Sequence, residues 1–470
     1  MHNHNSAVDS ILARPVKQLL RRDPFFVDPA ASVAEAARAM QAAGIGSVLI
    51  ASDPPGIVTD RDLRGRVLAA GREPQTAVSQ IMSSPLITLP GTATAFAALR
   101  LILEHNIHHL PIVEEKKIIG VLSATDLLFS QSKSPIYLRG FVETVQESAD
   151  AAAYGAQLGE LVDALFQSGL AAIQISQLVS ALNDALVKRL VRLAVAKLGA
   201  PPTSFAWIVF GSEGRLEQTL LTDQDNALIY GADSEDAQAY FASLARQVVD
   251  GLIGAGFPPC AGGFMATRWC KPLASWEQLF TQWIRVPEPQ ALLDAAIFFD
   301  YRGVAGDLSL ESLAEIVAGA GSQRSFLSHL ARGAMDFFPP LGFFNRLRSE
   351  NGAVDLKKSG IAPIVGLARV AALATGSRER STLGRLSAAR SSAAPFSGDD
   401  ATSLGEIFRF LFQLRLQGQL QARRAGRPID HRVHLASLSS ATRRQLKDAL
   451  VAIKRIQIAI RAAWNLDALA

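Results

Sequence analysis

An internal repeat near the amino terminus limits the folds open to this chain more than any other feature of its sequence. Residues 16–68 and 78–129 share one order of patterns, in which an apolar start and an extended stretch precede a helix, two strands and a final helix. The central helix of each copy carries apolar residues at helical spacing, namely Ala37, Met40 and Ile45, and then Leu99, Ile102, Leu103 and Ile107. The repeat therefore predicts two copies of one small α/β unit.

Each copy ends with a hydroxyl residue that is followed three positions later by an aspartate, Thr59 with Asp62 and Ser123 with Asp126. A hydroxyl and free backbone N–H groups at a helix start favour a bound anion, and a carboxylate can accept hydrogen bonds from the hydroxyls of a ribose. The same residues also suit a capping box without any ligand. Capping and binding are compatible, so both interpretations stay open.

With these two motifs, residues 16–129 resemble a CBS domain pair. The resemblance implies that Thr59, Asp62, Ser123 and Asp126 contact the phosphate and ribose of a regulatory AMP, ADP or ATP. It also implies a homodimer that forms through the pair.

The segment that begins at Phe205 contains residue types that suit phosphate binding. Phe205 to Phe210 is a continuous apolar run, which predicts a strand buried on both faces and ended by Gly211 and Ser212. The glycine lets backbone N–H groups approach a phosphate, and Ser212, near the N-cap of a following helix, can donate a further hydrogen bond. Arg215, one turn inside that helix, has the reach for triphosphate oxygens.

Asp223 and Asp225 follow this turn and precede an apolar stretch, so they share one face of an extended segment. Mg²⁺ prefers hard oxygen ligands and normally shares them with substrate phosphates. The pair therefore predicts a magnesium site that binds a nucleoside triphosphate. A solvated turn rich in aspartate is the alternative for this stretch taken alone.

The Gly-Ser turn and the Asp-x-Asp segment together resemble the DNA polymerase β-type nucleotidyltransferase superfamily. The run from Gly211 to Glu217 is similar to the N-terminal domain of protein-PII uridylyltransferases. Nearly the whole chain resembles a bacterial family that joins a CBS pair to such a domain and a helical C-terminal domain. The resemblance implies that Gly211, Ser212 and Arg215 bind triphosphate and that Asp223 and Asp225 bind metal and are catalytic.

This superfamily usually supplies a third carboxylate from a neighbouring strand, and residues 258–269 contain none. Asp300 is the candidate for this third metal ligand, and a structural pair of Asp300 with Arg302 is the alternative. Without a third acid, the domain could also bind nucleotide and no longer react.

After Asp307 the pattern is mostly helical, which predicts a C-terminal helical bundle. Lys357 and Lys358 lie just before one of its helices, and by resemblance to related transferases such residues reach the triphosphate from across the cleft. The alternative is solvated surface charge. Cys260 and Cys270 suit neither a disulfide framework nor a zinc site, so both are expected to be small buried residues.

The length of 470 residues predicts roughly three domains. We place a CBS pair at 10–132, helical lead-in segments at 133–200, a nucleotidyltransferase domain at 201–305 and a helical domain at 306–470. The predicted fold is thus an α/β and α multidomain chain in which the transferase domain has a mixed sheet.

A net charge of +4 over the whole length does not predict a nucleic-acid partner. No run reaches about 18 uninterrupted apolar residues, and residues 1–10 lack the pattern of a secretion signal. No membrane association is expected, and the cytoplasm is the expected location.

Together these patterns predict a Mg²⁺-dependent nucleotidyltransferase that uses an NTP, modifies an acceptor hydroxyl and responds to adenine nucleotides at its CBS pair. The uridylyltransferase resemblance implies that the acceptor is a signalling protein. The alternative is a non-catalytic scaffold that senses adenine nucleotides and carries a degenerate transferase domain.

Overall fold

The computed structural model describes residues 12–127, 134–220, 223–389 and 395–468. The contacts within the chain divide it into two compact units, residues 1–139 with 167–169 and residues 140–166 with 170–470. The expectation for residues 1–10 lies outside the described residues.

The first unit contains the repeat, and each copy forms a three-stranded sheet. In each sheet the first two strands are parallel and the last two are antiparallel. The elements of the first copy are β1 (Phe26–Val27), α1 (Val33–Ala43), β2 (Ser47–Ile50), β3 (Gly56–Thr59) and α2 (Asp60–Asp62). Those of the second copy are β4 (Leu89–Pro90), α3 (Ala95–His105), β5 (His109–Glu114) and β6 (Lys117–Ser123). The two copies of one α/β unit are thereby confirmed.

Local sequence explains where α1 begins and ends. Ser32 and Glu35 form a capping box at its start, and Gly44 ends it with a φ of 60°. The buried residues of α1 follow helical spacing and pack with the strands in one core: Val33, Ala36, Met40, Val48, Ile50 and Val58.

The second unit is built around a four-stranded mixed sheet of β7 (Phe205–Val209), β8 (Asn226–Tyr230), β9 (Cys270–Pro272) and β10 (Arg302–Gly306). The strand order is β10-β7-β8-β9. Strand β7 pairs antiparallel with β8 and β10, whereas β9 is parallel to β8. Every residue of β7 and β8 is buried, as the apolar runs predict. A further pair, β11 (Ala353–Asp355) and β12 (Arg432–His434), is antiparallel.

Helix α4 (Pro135–Thr144) includes the boundary between the two units, which follows Arg139. Helices make up most of the remainder of the second unit. Those up to the last sheet strand are α5 (Tyr154–Gln167), α6 (Ala172–Leu198), α7 (Gly211–Gly214), α8 (Glu235–Gly254), α9 (Leu273–Arg285) and α10 (Pro289–Phe298). Those that follow are α11 (Glu311–Gly319), α12 (Arg324–Met335), α13 (Ala362–Ala374), α14 (Thr382–Ala388), α15 (Gly398–Arg424) and α16 (Ser440–Ala463). The mixed sheet and the C-terminal helices confirm the predicted fold class.

An aromatic core fixes the end of β7. The ring of Phe298 lies 4.4 Å from the ring centres of both Phe210 and Trp269, and 5.3 and 5.5 Å from those of Trp276 and Trp283. These contacts bury large apolar surfaces next to Phe210, the residue before Gly211, and so fix the position of the turn by packing.

Candidate active site

The turn after β7 requires glycine at position 211. Gly211 has a φ of 60°, and a Cβ added there would lie 3.0 Å from Oδ2 of Asp225. The backbone N–H of Phe210 donates to the carbonyl of Asp225 over 3.1 Å, so the turn and the acidic segment are adjacent. The helix that follows, α7, is confined to one turn, because Leu216 takes a φ of 61°.

The acidic segment is anchored to the loop that follows α8. Gln224 donates from its backbone N–H to the carbonyl of Pro258 over 3.3 Å. The buried Asn226 donates to the side-chain oxygen of Gln224 over 3.1 Å and accepts from the N–H of Ala266 over 2.8 Å. These bonds hold Asp223 and Asp225 on either side of a buried glutamine.

The structure brings Asp223 and Asp225 together with Cys260, such that one ligand atom from each lies within 4.8 Å of the others. Burial, and then the charge of Asp223, raise the pKa of Asp225 to about 7, against a hydrogen bond from Cys260 and the charge of Lys357. Two half-buried carboxylates that repel each other are stabilised by a cation. Their hard oxygens fit a divalent metal ion, and the thiol adds a softer donor.

Two cations, Lys357 and Arg415, lie near this acidic pair. Burial and the charge of Arg415 lower the pKa of Lys357, whereas Asp223 and Asp225 oppose that shift. Arg415 is 4% exposed, and burial lowers its pKa to about 10. Within the described residues neither cation forms an ion pair, and Arg415 donates from Nε to Nδ1 of His431 over 3.3 Å. We call Asp223, Asp225, Lys357 and Arg415 the open cluster.

A cavity of about 760 Å³ lies beside the open cluster. Ser212, Arg215, Lys357 and Arg415 line one part of it. The apolar part of its wall includes Leu292, Ile297, Leu330, Val365 and Phe412. The volume and the mixture of cations and apolar walls suit an anionic ligand that also has an apolar or aromatic part.

Asp300 lies in a different cluster, which corrects the expectation that it is a metal ligand. Its carboxylate is 1% exposed and accepts from Nη1 of Arg215 over 2.5 Å, from Nη2 of Arg369 over 2.6 Å and from Nη1 of Arg385 over 2.6 Å. Burial raises the pKa of Asp300, but the three arginines outweigh it and hold the pKa far below its usual range. We call Asp300 and its three arginines the arginine cluster. It also replaces the alternative pair with Arg302, which instead binds Asp184.

Arg215 takes part in both the cavity wall and the arginine cluster. It lines the cavity, yet its Nε donates to Glu217 over 2.8 Å and its Nη1 to Asp300. Glu217 in turn accepts from the backbone N–H of Thr382 over 2.6 Å. Arg215 therefore links the Gly-Ser turn to the C-terminal helices. Because Nε and Nη1 already donate to carboxylates, Nη2 is the group left for its predicted contact with triphosphate.

The two predicted lysines differ. Lys357 lines the cavity, whereas the side chain of Lys358 is exposed and does not line it. Lys358 contributes a backbone N–H that donates to Asp355 over 2.9 Å. Its predicted contact with nucleotide thus receives no support from its position.

The sequence predicts only a small buried residue at Cys260, with no metal site, and it does not single out Arg415. Cys260 lies in residues 258–269, the segment without a third carboxylate, where its metal-ligating side chain is the signal that could mark it. Arg415 lies within the long helix α15 among other polar residues, and no local signal separates it from surface arginines.

In the first unit, both hydroxyl–aspartate motifs form the predicted capping arrangement. Asp62 Oδ2 accepts from the backbone N–H of Thr59 over 2.9 Å and from its hydroxyl over 2.7 Å. Asp126 Oδ2 accepts from the N–H and hydroxyl of Ser123 over 2.9 and 2.5 Å. Arg66 lies 3.2 Å from Asp62, so this carboxylate already has a cationic neighbour. The capping interpretation is confirmed, and nucleotide binding stays a prediction.

Family models match three regions of the chain. The CBS domain model matches residues 16–69 and 78–133. The model described as "Putative nucleotidyltransferase DUF294" matches residues 156–290, and the one described as "Putative nucleotidyltransferase substrate binding domain" matches residues 324–463. In the described part of the chain, every helix is too short or too polar to cross a membrane.

Individual relatives match about a quarter of the chain. A protein of Methanopyrus kandleri is 36% identical over 118 residues, which are 24% of this chain and 60% of that protein. The CBS domain-containing protein YhcV of Bacillus subtilis is 31% identical over 25% of this chain and 84% of its own length. Among solved structures, a CBS domain protein of Pyrobaculum aerophilum complexed with AMP is 27% identical, with a TM-score of 0.24, over 25% of this chain and 93% of that one.

Proposed function

We propose that this chain, which belongs to the CBS domain-containing proteins, is a Mg²⁺-dependent nucleotidyltransferase. Its CBS pair is followed by regions that match a DUF294 nucleotidyltransferase domain and a substrate-binding domain. The proposed enzyme transfers a nucleotidyl group from an NTP to an acceptor hydroxyl. Adenine nucleotides bound to the CBS pair regulate the transfer.

One observation carries this proposal. Lys357 and Arg415 line a cavity and form no salt bridge within the described residues, and the aspartate pair lies close enough to Lys357 to oppose the lowering of its pKa. A buried cation without a partner is costly, and a bound anion removes that cost. A metal ion bound to a triphosphate satisfies both halves of the open cluster at once.

The chain's own residues have separate roles in this reaction. Ser212, Lys357 and Arg415 hold the phosphates, and Asp223 with Asp225 holds the metal. Bound Mg²⁺ neutralises phosphate charge and orients the triphosphate. The acceptor oxygen forms a bond to the α-phosphorus, the bond to the β-phosphate oxygen breaks, pyrophosphate leaves, and the hydroxyl proton passes to solvent.

The resemblance to protein-PII uridylyltransferases supports a protein as the acceptor. It rests on Gly211, Ser212, Gly214, Arg215 and Glu217, which repeat the Gly-Ser-x-Gly-Arg-x-Glu run of that family. Two of these residues have structural reasons of their own: a Cβ at Gly214 would collide with the carbonyl of Asp300 at 1.8 Å, and Glu217 binds Arg215. The run therefore supports the fold of the site more strongly than it supports the choice of acceptor.

Incubation of the full chain with α-labelled ATP, UTP, CTP or GTP, Mg²⁺ and cell extract tests the activity. We expect label on an acid-precipitable acceptor and release of pyrophosphate, and we expect both to vanish in Asp223→Asn/Asp225→Asn. If the wild type and the variant both transfer nothing, the non-catalytic scaffold replaces the enzyme. Label on a small molecule instead would overturn the protein acceptor and keep the transferase.

The regulatory part of the proposal concerns the CBS pair. Thr59 with Asp62 and Ser123 with Asp126 lie at matching positions of the two copies. Calorimetric titration of AMP, ADP and ATP is expected to show binding that weakens in Asp62→Ala or Asp126→Ala. Unchanged affinity in both variants would contradict ribose binding there. The proposed homodimer through the pair is measurable by light scattering.

A further inference from the structure

The third position of the aspartate site holds a thiol. Cys260 lies in the loop after α8, and its Sγ is within 4.8 Å of a carboxylate oxygen of both Asp223 and Asp225. The residue is 8% exposed, and its thiol hydrogen-bonds to the carboxylate of Asp225. In the described residues this is the one group of three such ligands with that spacing.

The backbone holds this thiol in place. The N–H of Gly263 donates to the carbonyl of Cys260 over 2.9 Å, which closes a tight turn around the cysteine. The side-chain amide of the buried Gln224 donates to the carbonyl of Phe257 over 3.4 Å, so the loop is tied to the residue between the two aspartates. The same residues therefore position all three donor atoms.

A second observation indicates that a ligand binds beside these donors. Arg415 is 4% exposed, lines the adjacent cavity and has no ion pair within the described residues. Its Nε donates to Nδ1 of His431, and no carboxylate of the described residues lies within salt-bridge distance of its guanidinium, so an anionic ligand in the cavity would complete its pairing. A metal–phosphate complex fits both the cation and the three donors.

A thiolate changes which metal the site prefers. Carboxylates suit Mg²⁺ and Mn²⁺, whereas sulfur ligands select softer ions such as Zn²⁺. Two carboxylates and one thiolate, with positions left for phosphate or water, resemble the three-ligand open sites of zinc and related ions more than a magnesium site.

We propose that Cys260 is the third ligand of this site and that the site binds a divalent transition-metal ion, such as Zn²⁺ or Co²⁺, more tightly than Mg²⁺. The inference deepens the proposed function and rests on its metal site at Asp223 and Asp225. On binding, the sulfur–metal bond forms, the S–H bond breaks and the thiol proton passes to solvent.

Co²⁺ is the probe for the test, because a cobalt–thiolate bond produces a charge-transfer band in the near ultraviolet. The full chain, freed of metal with a chelator, is titrated with Co²⁺ and followed by absorption. We expect the band in the wild type and in Cys270→Ser, which removes the other cysteine and is the matched control. We expect its loss in Cys260→Ser, together with a fall in Zn²⁺ affinity of at least ~10-fold.

A variant that replaces the thiol with a third carboxylate provides a second test, in which the relative affinities for Zn²⁺ and Mg²⁺ are measured. Cys260→Asp supplies three carboxylates, and its preference for Zn²⁺ over Mg²⁺ is expected to fall relative to the wild type. Thermal unfolding followed by circular dichroism checks that each variant is folded.

Two results would overturn the inference. One is a wild type that binds Co²⁺ without the band, and the other is a band that persists in Cys260→Ser. If Mg²⁺-dependent binding of a nucleoside triphosphate survives in either case, the proposed function stands and only the role of Cys260 fails. If no metal and no triphosphate bind to the wild type, both fail.

Discussion

The arginine cluster and the open cluster use the same kinds of residue in opposite ways. In the arginine cluster, the Asp300 carboxylate accepts hydrogen bonds from all three arginines, and the shortest contacts are 2.5 to 2.6 Å. In the open cluster, two acids and two cations lie near one another, yet none of the four forms an ion pair within the described residues. One cluster is complete without a ligand and the other is not.

A structural charge cluster can be distinguished from a binding site by whether its buried charges are paired within the chain. Buried charges are tolerated when they are paired and hydrogen-bonded, and they are costly when they are not. A chain that buries Arg415 without a salt bridge to a carboxylate gives up stability at that position, which is typical of sites that bind a ligand. The two clusters should therefore respond to substitution with opposite signs.

The largest effect is expected in the arginine cluster. Asp300→Asn leaves Arg369 and Arg385 without a carboxylate partner and Arg215 with Glu217 alone, so the free energy of unfolding should fall by about 3 to 5 kcal/mol. Urea unfolding measures this change. Asp307→Asn makes the same substitution at an exposed site and should stay within about 0.5 kcal/mol of the wild type. An Asp300→Asn protein as stable as the wild type would show that the arginine cluster does not stabilise the fold.

The pH dependence of that difference follows from the pKa of Asp300. The folded-state pKa is depressed, so the stabilisation is present above the unfolded-state pKa of about 4 and is lost as the pH falls towards the folded-state value. The gap between wild type and Asp300→Asn is therefore expected to be constant above about pH 5 and to narrow in more acidic solution. A gap that already narrows between neutral pH and pH 5 would contradict the three-arginine assignment.

An intermediate effect is expected at Arg415, and on binding instead of stability. Arg415→Met keeps the packing against Phe412 and removes the charge, so triphosphate affinity should fall by about 1.5 to 3 kcal/mol. The free energy of unfolding should stay within about 1 kcal/mol of the wild type or rise. Calorimetry and urea unfolding provide the two numbers, and the exposed Arg427→Met is the control. A large loss of stability with unchanged affinity would make Arg415 a structural residue.

The smallest effect is expected from a substitution in the acidic pair, and it concerns the free energy of unfolding of the whole chain. Asp225→Asn removes one of two repelling charges and keeps the shape, so in the presence of a chelator the free energy of unfolding should rise by up to about 1 kcal/mol. Urea unfolding with and without Co²⁺ measures it. The added metal should stabilise the wild type and leave the variant unchanged. A variant that loses stability in chelator would show that the acids hold the fold.

Patterns within short segments predicted much of this molecule, whereas the pairing of distant residues could not be predicted. The repeat, the buried strand before Gly211 and the closeness of Asp223 to Asp225 all follow from neighbouring residues and hydrophobic periodicity. Asp300 pairs with Arg215 and Arg385, each 85 residues away, and tertiary packing alone decides such partners. Tertiary packing also explains why the sequence does not single out Arg415 and why it suggests Asp300 as a metal ligand.

Metal-dependent binding of triphosphate is the most direct test of the open cluster. The full chain with Asp62→Ala and Asp126→Ala, which reduces binding at the CBS pair, is titrated calorimetrically with non-hydrolysable analogues of ATP, UTP, CTP and GTP, with and without Mg²⁺ or Zn²⁺. We predict that at least one analogue binds only when metal is present and that adding Asp223→Asn/Asp225→Asn abolishes this binding, whereas the exposed Asp236→Asn does not. Binding that is identical with and without metal, or unaffected by the loss of both aspartates, would contradict the account.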